Sequence, residues 1–161
     1  MSEFTASNEP ISLVDHRGGV RIVAGPASTG RLVVFVPMAF TPVCAEEIVS
    51  LAELTAAAPR ASSAAGPPEV LVVSTDTSAT LRAWLHELGV AAVVSGCSDF
   101  WPHGAAARAY GAFDASTGTA TRTSYLVKGD GSYRVVASAR PGEARVRSDH
   151  ATALHLLAEG L

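Results

Sequence analysis

A chain of 161 residues has the length of one ordinary domain and can bury a real core, so a single domain over residues 1–161 is expected. Its 48% hydrophobic and 17% charged content is that of a compact globular protein and excludes a disordered one. A net charge of −3 without a Lys/Arg cluster gives no electrostatic footing for nucleic acid or an acidic membrane surface.

The opening stretch, MSEFTASNEPISLVDH, has neither the basic leader nor the apolar core of a signal peptide. No apolar run reaches bilayer-spanning length, and no membrane association is expected. Two cysteines do not make a disulfide framework, so a reducing, cytoplasmic setting is expected. Neither cysteine has a His or Cys at metal-ligand spacing, and no metal or other cofactor is expected.

In chain order, HRGGVRIVAG reads as a hairpin around Gly18 and Gly19. RLVVFV (31–36) is apolar on both faces, as a central strand covered by helices should be. Residues 45–58 carry Ile48, Leu51, Ala52 and Leu54 at helical period. PRASSAAGPPE (59–69) reads as a loop rather than a domain linker, because VLVVS (70–74) follows at once as a strand. TDTSATLRAWLHELG predicts a helix with Leu81, Trp84, Leu85 and Leu88 on one face and Gly89 closing it. AAVVS (91–95) is the next strand candidate, and HGAAARAYG (103–111) a short helix. TSYLVKGDGSYRVVAS reads as a hairpin turning at Gly129, Asp130 and Gly131, and a last helix is expected to start at a Ser148 or Asp149 cap. Alternating βα units predict a mostly parallel sheet covered on both faces, with the closing hairpin adding antiparallel strands. That order suits a thioredoxin-like three-layer α/β sandwich, a central mixed sheet with helices on both faces.

The stretch FVPMAFTPVCAEE places Cys44 between a strand and a helix. A thiol attacks only as thiolate, and free Cys titrates near ~8.5 unless a helix N-terminus or a cation lowers it. Cys44 falls in the first turn of the predicted helix, where unpaired N–H groups and the macrodipole favour an anion. Pro37 and Pro42 stiffen the approach and keep water from the sulfur, and the Thr41 hydroxyl is placed to bond sulfur and substrate. Position alone equally suits a small buried apolar residue, the fate of most free cysteines.

Pro37, Thr41 and Cys44 fit the Pro-x-x-x-Thr-x-x-Cys signature, including its AFTPVC form, and so the chain resembles the peroxiredoxins of the AhpC/TSA family. Glu47 matches an acidic residue that the family often carries three positions on. SDFWPHGAAARAYGAFD (98–114), Arg122 in RTSYLVKGDG and RPGEARVR (140–147) extend the resemblance, and they resemble the one-cysteine alkyl hydroperoxide reductase E type. Three departures are visible. SNEPISLVDH stands where an Ala-Pro-Asp-Phe opening is usual, Val36 replaces an aromatic residue, and VKGDG replaces a more acidic turn.

The resemblance implies a thiol-dependent peroxidase. Cys44 would attack the terminal oxygen of a peroxide and become a sulfenic acid. Arg122 would supply a fixed cation for the thiolate, while Thr41 and the Cys44 N–H would hold the peroxide oxygens. Pro37 would shield the pocket, and Glu47 would orient Arg122 through a bidentate pair. Phe40, Val43 and Trp101 would line the substrate side, where apolar Met38 and Ala39 also tolerate an organic tail. Taken singly, Arg122 reads as a surface charge ahead of a strand and Glu47 as first-turn dipole decoration. Cys97 has two readings: a resolving thiol that condenses with the Cys44 sulfenic acid, or a buried strand-end residue. In the second, an external thiol of thioredoxin-like, glutaredoxin-like or low-molecular-weight kind completes the cycle.

Asp99 and His103 suggest acid–base work by type, but thiolate attack on peroxide needs no such dyad, and SDFWPHG reads as a helix cap with an aromatic wedge. His16, His86, His150 and His155 read as surface or helix-face residues. The resemblance also implies a homodimer. Two other functions compete: a peroxiredoxin scaffold repurposed for one metabolite in a biosynthetic pathway, and a non-catalytic redox sensor whose Cys44 alters a partner surface.

Overall fold

The computed structural model describes residues 3–59 and 68–161, so most of the Pro/Gly/Ser loop predicted at 59–69 lies outside the described residues. β1 (Ile11–Val14) and β2 (Val20–Ala24) form an antiparallel hairpin. Its turn is tied by the Asp15 carboxylate, which accepts from the N–H groups of Arg17 and Gly19 at 2.8 and 2.9 Å. β3 (Arg31–Phe35) is buried along its whole length, as its two-sided apolar pattern predicts. β4 (Glu69–Ser74) and β5 (Ser95–Ser98) lie parallel beside it, and β8 (Arg122–Val127) and β9 (Tyr133–Ala139) continue the sheet antiparallel on its other side. The order β5-β4-β3-β8-β9 is therefore mixed, with the closing hairpin adding the antiparallel strands as expected.

Alternation along the strands divides the core. Leu32, Val34, Val70, Val72 and Leu126 face α1 (Pro42–Ala57), α2 (Ser78–Glu87) and α4 (Arg147–Ala158). Val33, Phe35, Leu71 and Val73 face the β1–β2 hairpin and α3 (Ala105–Tyr110). Burying side chains such as Ile48 and Leu51 of α1 contributes roughly 1.5–3 kcal/mol each. Gly96 permits α2 to lie close on its face, because a Cβ there would meet Leu85 Cδ1 at 2.7 Å.

Four local expectations are corrected. AAVVS is not a strand: Val90, Val93 and Val94 spend their N–H groups on Leu85 and Val90 carbonyls in the turn that leaves α2, and pairing with β4 begins at Ser95. Val94, and Val90 just before the run, are buried there as apolar plugs. A two-residue pair, β6 (Phe113–Asp114) and β7 (Thr119–Ala120), was not expected, being too short and polar to carry a periodicity. α4 starts earlier than a Ser148 or Asp149 cap allows, with Val146 at the N-cap and Asp149 inside the first turn, where its charge suits the dipole. Finally, His16 and His150 are buried rather than on the surface. His16 accepts from Gly96 N–H at 3.0 Å through Nδ1 and lies 2.9 Å from the Ala91 carbonyl through Nε2.

Candidate active site

β3 delivers the chain to the site. After Phe35 the polypeptide passes through Val36 and half-buried Pro37 into a short loop, then turns into α1 with Pro42 at the first helical position, where its missing N–H costs nothing. The first rung of the helix runs from Ala45 N–H to Thr41 O at 3.0 Å, which leaves the Val43 and Cys44 N–H groups ahead of the ladder. Cys44 therefore sits in the first turn, as its sequence position predicts.

The loop is held from below by Asp76. Its carboxylate accepts from Ala39 N–H and from the Ser74 hydroxyl, both at 2.8 Å, while its carbonyl accepts from Ser98 Oγ at 2.7 Å. Three loops at the ends of β3, β4 and β5 are thus bolted together. Phe40 adopts a left-handed backbone, φ 63°, which a non-glycine residue does only where its surroundings require it. Its ring is left 53% exposed. Thr41, at the N-cap, makes no side-chain cap bond; its hydroxyl donates to Met38 O at 3.0 Å.

Cys44 is fully buried beside Val36, Ala39 and Ile48 on the α1 face of the sheet. One turn further along α1, Glu47 is also buried and accepts from Arg122 Nη1 at the start of β8. Burial pushes the Glu47 carboxyl up, but hydrogen bonds and charge from Arg145, with the charge of Arg122, outweigh it and hold the group below its usual range. Arg122 Nε is buried with no hydrogen-bond partner.

Sequence reasoning missed two residues of this cluster. Arg145, in the segment between β9 and α4, donates to Glu47 Oε2 from its backbone N–H and Nε at 2.8 and 2.9 Å, and to the Phe35 carbonyl from Nη1 at 2.7 Å. It lies within the RPGEARVR block but carries no local signal, since an arginine in a charged loop reads as solvated. Asp76 was missed for the same reason, in a stretch that looks only like a helix cap.

Cys97, Asp99 and His103 are engaged elsewhere. Cys97 is fully buried on β5, in register with Val73 and in the cluster with Val33 and Phe35. The sheet lies between it and Cys44, and burial pushes its thiol up to about 12. Asp99 accepts from Ala106 and Ala107 N–H, both at 2.9 Å, at the start of α3, and His103 lies 2.6 Å from the Gly118 carbonyl, so each is engaged with backbone. Trp101 is 79% exposed, with Phe100, Met38 and Phe40 also half or more exposed. Val43 is partly buried. Among the described residues no group of three His, Cys, Asp or Glu side chains could hold a metal, and no helix is long and apolar enough to cross a membrane.

A five-stranded mixed sheet with helices on its faces thus presents a cysteine in the first turn of a helix, one turn ahead of a buried Glu–Arg pair. The AhpC/TSA family profile matches residues 5–136. Alkyl hydroperoxide reductase E of Mycobacterium tuberculosis and of Mycobacterium bovis are each 33% identical to this chain over 145 residues, covering 89% of it and 85% of the relative. Among solved structures, a peroxiredoxin-like protein from Aquifex aeolicus superposes with a TM-score of 0.79 at 19% identity, over 97% of this chain and 88% of the other. AhpC of Enterococcus faecalis gives 0.74 at 23% identity, over 97% and 92%. The chain belongs to the AhpC/TSA family and is a thiol-dependent peroxidase with a thioredoxin-like fold.

Proposed function

We propose that Cys44 is the peroxidatic residue and that the protein reduces hydrogen peroxide or small organic hydroperoxides. The observation that carries this reading is the placement of Cys44 in the first turn of α1, one turn ahead of the Glu47 carboxylate that holds Arg122. The Cys44 thiolate attacks the terminal oxygen of ROOH. The O–O bond breaks, the sulfur becomes a sulfenic acid, and the leaving RO⁻ takes a proton to become water or an alcohol. The free N–H groups at the start of α1 and the guanidinium of Arg122 supply positive potential where charge develops. Thr41 acts as an acceptor for the peroxide O–H, since its own hydrogen is committed to Met38 O. Pro37 limits water at the sulfur, and Phe40, Val43 and Trp101 supply apolar surface for an organic tail. Because Cys44 is fully buried, peroxide entry requires a local opening, which we assign to the loop of residues 37–41.

An external thiol completes the cycle in this reading: one equivalent condenses with the sulfenic acid, releasing water, and a second reduces the mixed disulfide. Cys97 is not used, because the sheet separates it from Cys44. A homodimer in the cytoplasm belongs to the same proposal, with Met38, Phe40, Phe100 and Trp101 offering exposed apolar surface for self-association.

Stopped-flow fluorescence of the reduced protein mixed with peroxide tests the assignment, Trp84 being packed in the same cluster as Cys44. A fast phase lost in Cys44→Ser and kept in Cys97→Ala is expected. Wild-type protein reacting no faster than free cysteine would sink the reading and favour the metabolite-specific enzyme.

A further inference from the structure

The network behind Glu47 does not stop at Arg145. Arg145 Nη1 also donates to the Ser124 hydroxyl at 3.1 Å, and Ser124 Oγ lies 2.8 Å from Nε2 of His150 in the first turn of α4. A guanidinium nitrogen can only donate, so Ser124 Oγ accepts from Arg145. The arrangement that leaves no buried hydroxyl hydrogen unpaired has Ser124 donating to an unprotonated His150 Nε2, with the ring proton on Nδ1. Burial, reinforced by the Arg145 charge, pushes the imidazole down to about 4 and keeps it neutral. Ser124 and Arg122 are two apart on β8 and so share a face. The chain of contacts Arg122–Glu47–Arg145–Ser124–His150 therefore joins β8, α1, the β9–α4 segment and α4.

We propose that His150, acting through Ser124, is a positioning residue of the peroxidase site. It sets the direction of the Ser124 hydroxyl, which seats Arg145; Arg145 fixes the Glu47 carboxylate, and Glu47 fixes Arg122. Among the described residues, the charges that act on the imidazole are those of Arg145, which lowers its proton affinity, and Glu47, which raises it. The network backs onto a cavity of about 200 Å³ lined by Glu46, Glu47, Ser50, Arg145, Arg147 and His150. Without the imidazole, water entering there competes for Ser124 and Arg145, and the guanidinium loses one of its fixed anchors. The proposal rests on the assignment of Cys44 and Arg122 made above.

The test is the second-order rate of Cys44 oxidation by peroxide in a double-mutant cycle. His150→Leu is expected to slow oxidation about tenfold, as loss of alignment at a reacting centre does. His150→Gln, whose amide oxygen can accept the Ser124 hydrogen, should recover most of the rate. In an Arg122→Ala background His150→Leu should add less than about twofold, because both act through one group. If His150→Leu does not fold, Ser124→Ala removes the same link and must reproduce the slowing. Wild-type rates in Ser124→Ala or His150→Leu, or equal slowing with and without Arg122, would overturn the proposal while leaving the Cys44 assignment intact. Peroxide consumption that survives Cys44→Ser would instead overturn that assignment, and this proposal with it.

Discussion

Glu47 and Arg145, 98 positions apart, are joined three times: by the Arg145 backbone N–H at 2.8 Å, by Nε at 2.9 Å and by Nη2 at 3.3 Å. With Arg122 on the same carboxylate, one acid carries two buried guanidinium groups. Charges taken out of water recover their desolvation cost only when fully paired, and removing one partner is far more damaging than never having had the set.

Glu47→Ala should therefore be severely destabilising, by roughly 3–5 kcal/mol, because it strands both arginines. Urea denaturation followed by circular dichroism checks this. A loss below about 1 kcal/mol would mean that water already neutralises the cluster.

Asp76 fixes the loop that presents Cys44. Asp76→Ala leaves Ala39 N–H and Ser74 Oγ without their acceptor, at a cost of about 1–3 kcal/mol. It should also slow Cys44 oxidation, since Thr41 and the first turn of α1 lose their seating. Faster hydrogen exchange at Ala39, with the sheet core unchanged, is the accompanying signature.

Two buried groups of the network, His150 and Glu47, push the acid response in one direction. His150 has its proton affinity depressed from 6.5 to about 4, so the unfolded chain binds more protons between those values. Stability is fully present above pH 6.5 and is lost as pH falls toward 4, by on the order of 3 kcal/mol. Glu47, held below its usual range, adds a loss in the same direction at lower pH. Unfolding free energies measured from pH 7.5 to 4 should follow this slope, and His150→Gln should flatten it.

Cys97 should be chemically silent. Burial pushes its thiol to about 12, so alkylation of the native protein followed by peptide mass spectrometry should leave Cys97 unmodified. Peroxide treatment should give no Cys44–Cys97 disulfide, and Cys97→Ala should keep its turnover with an external thiol. A disulfide between the two would require the sheet to open.

Much of the fold was legible because its signals are local. β3 reads as central because it is apolar on both faces, and α1 announces itself through the helical spacing of Ile48, Leu51 and Ala52. The failures are also local in origin. AAVVS looks like a strand because Val93 and Val94 are β-branched, yet their N–H groups are spent on a turn that no residue pattern marks.

The sequence by itself determined the local arrangement: a thiol at a helix start behind Pro37 and Thr41, with Glu47 one turn on, is short-range and set by backbone geometry. It also offered Arg122, through resemblance. Only the tertiary structure decided which distant groups converge on that thiol's surroundings. Arg145, Ser124 and His150 come from three separate elements and meet because β8, α4 and α1 pack around one buried carboxylate. The same packing parts Cys97 from Cys44, since successive strand residues point to opposite faces and a sheet has two sides.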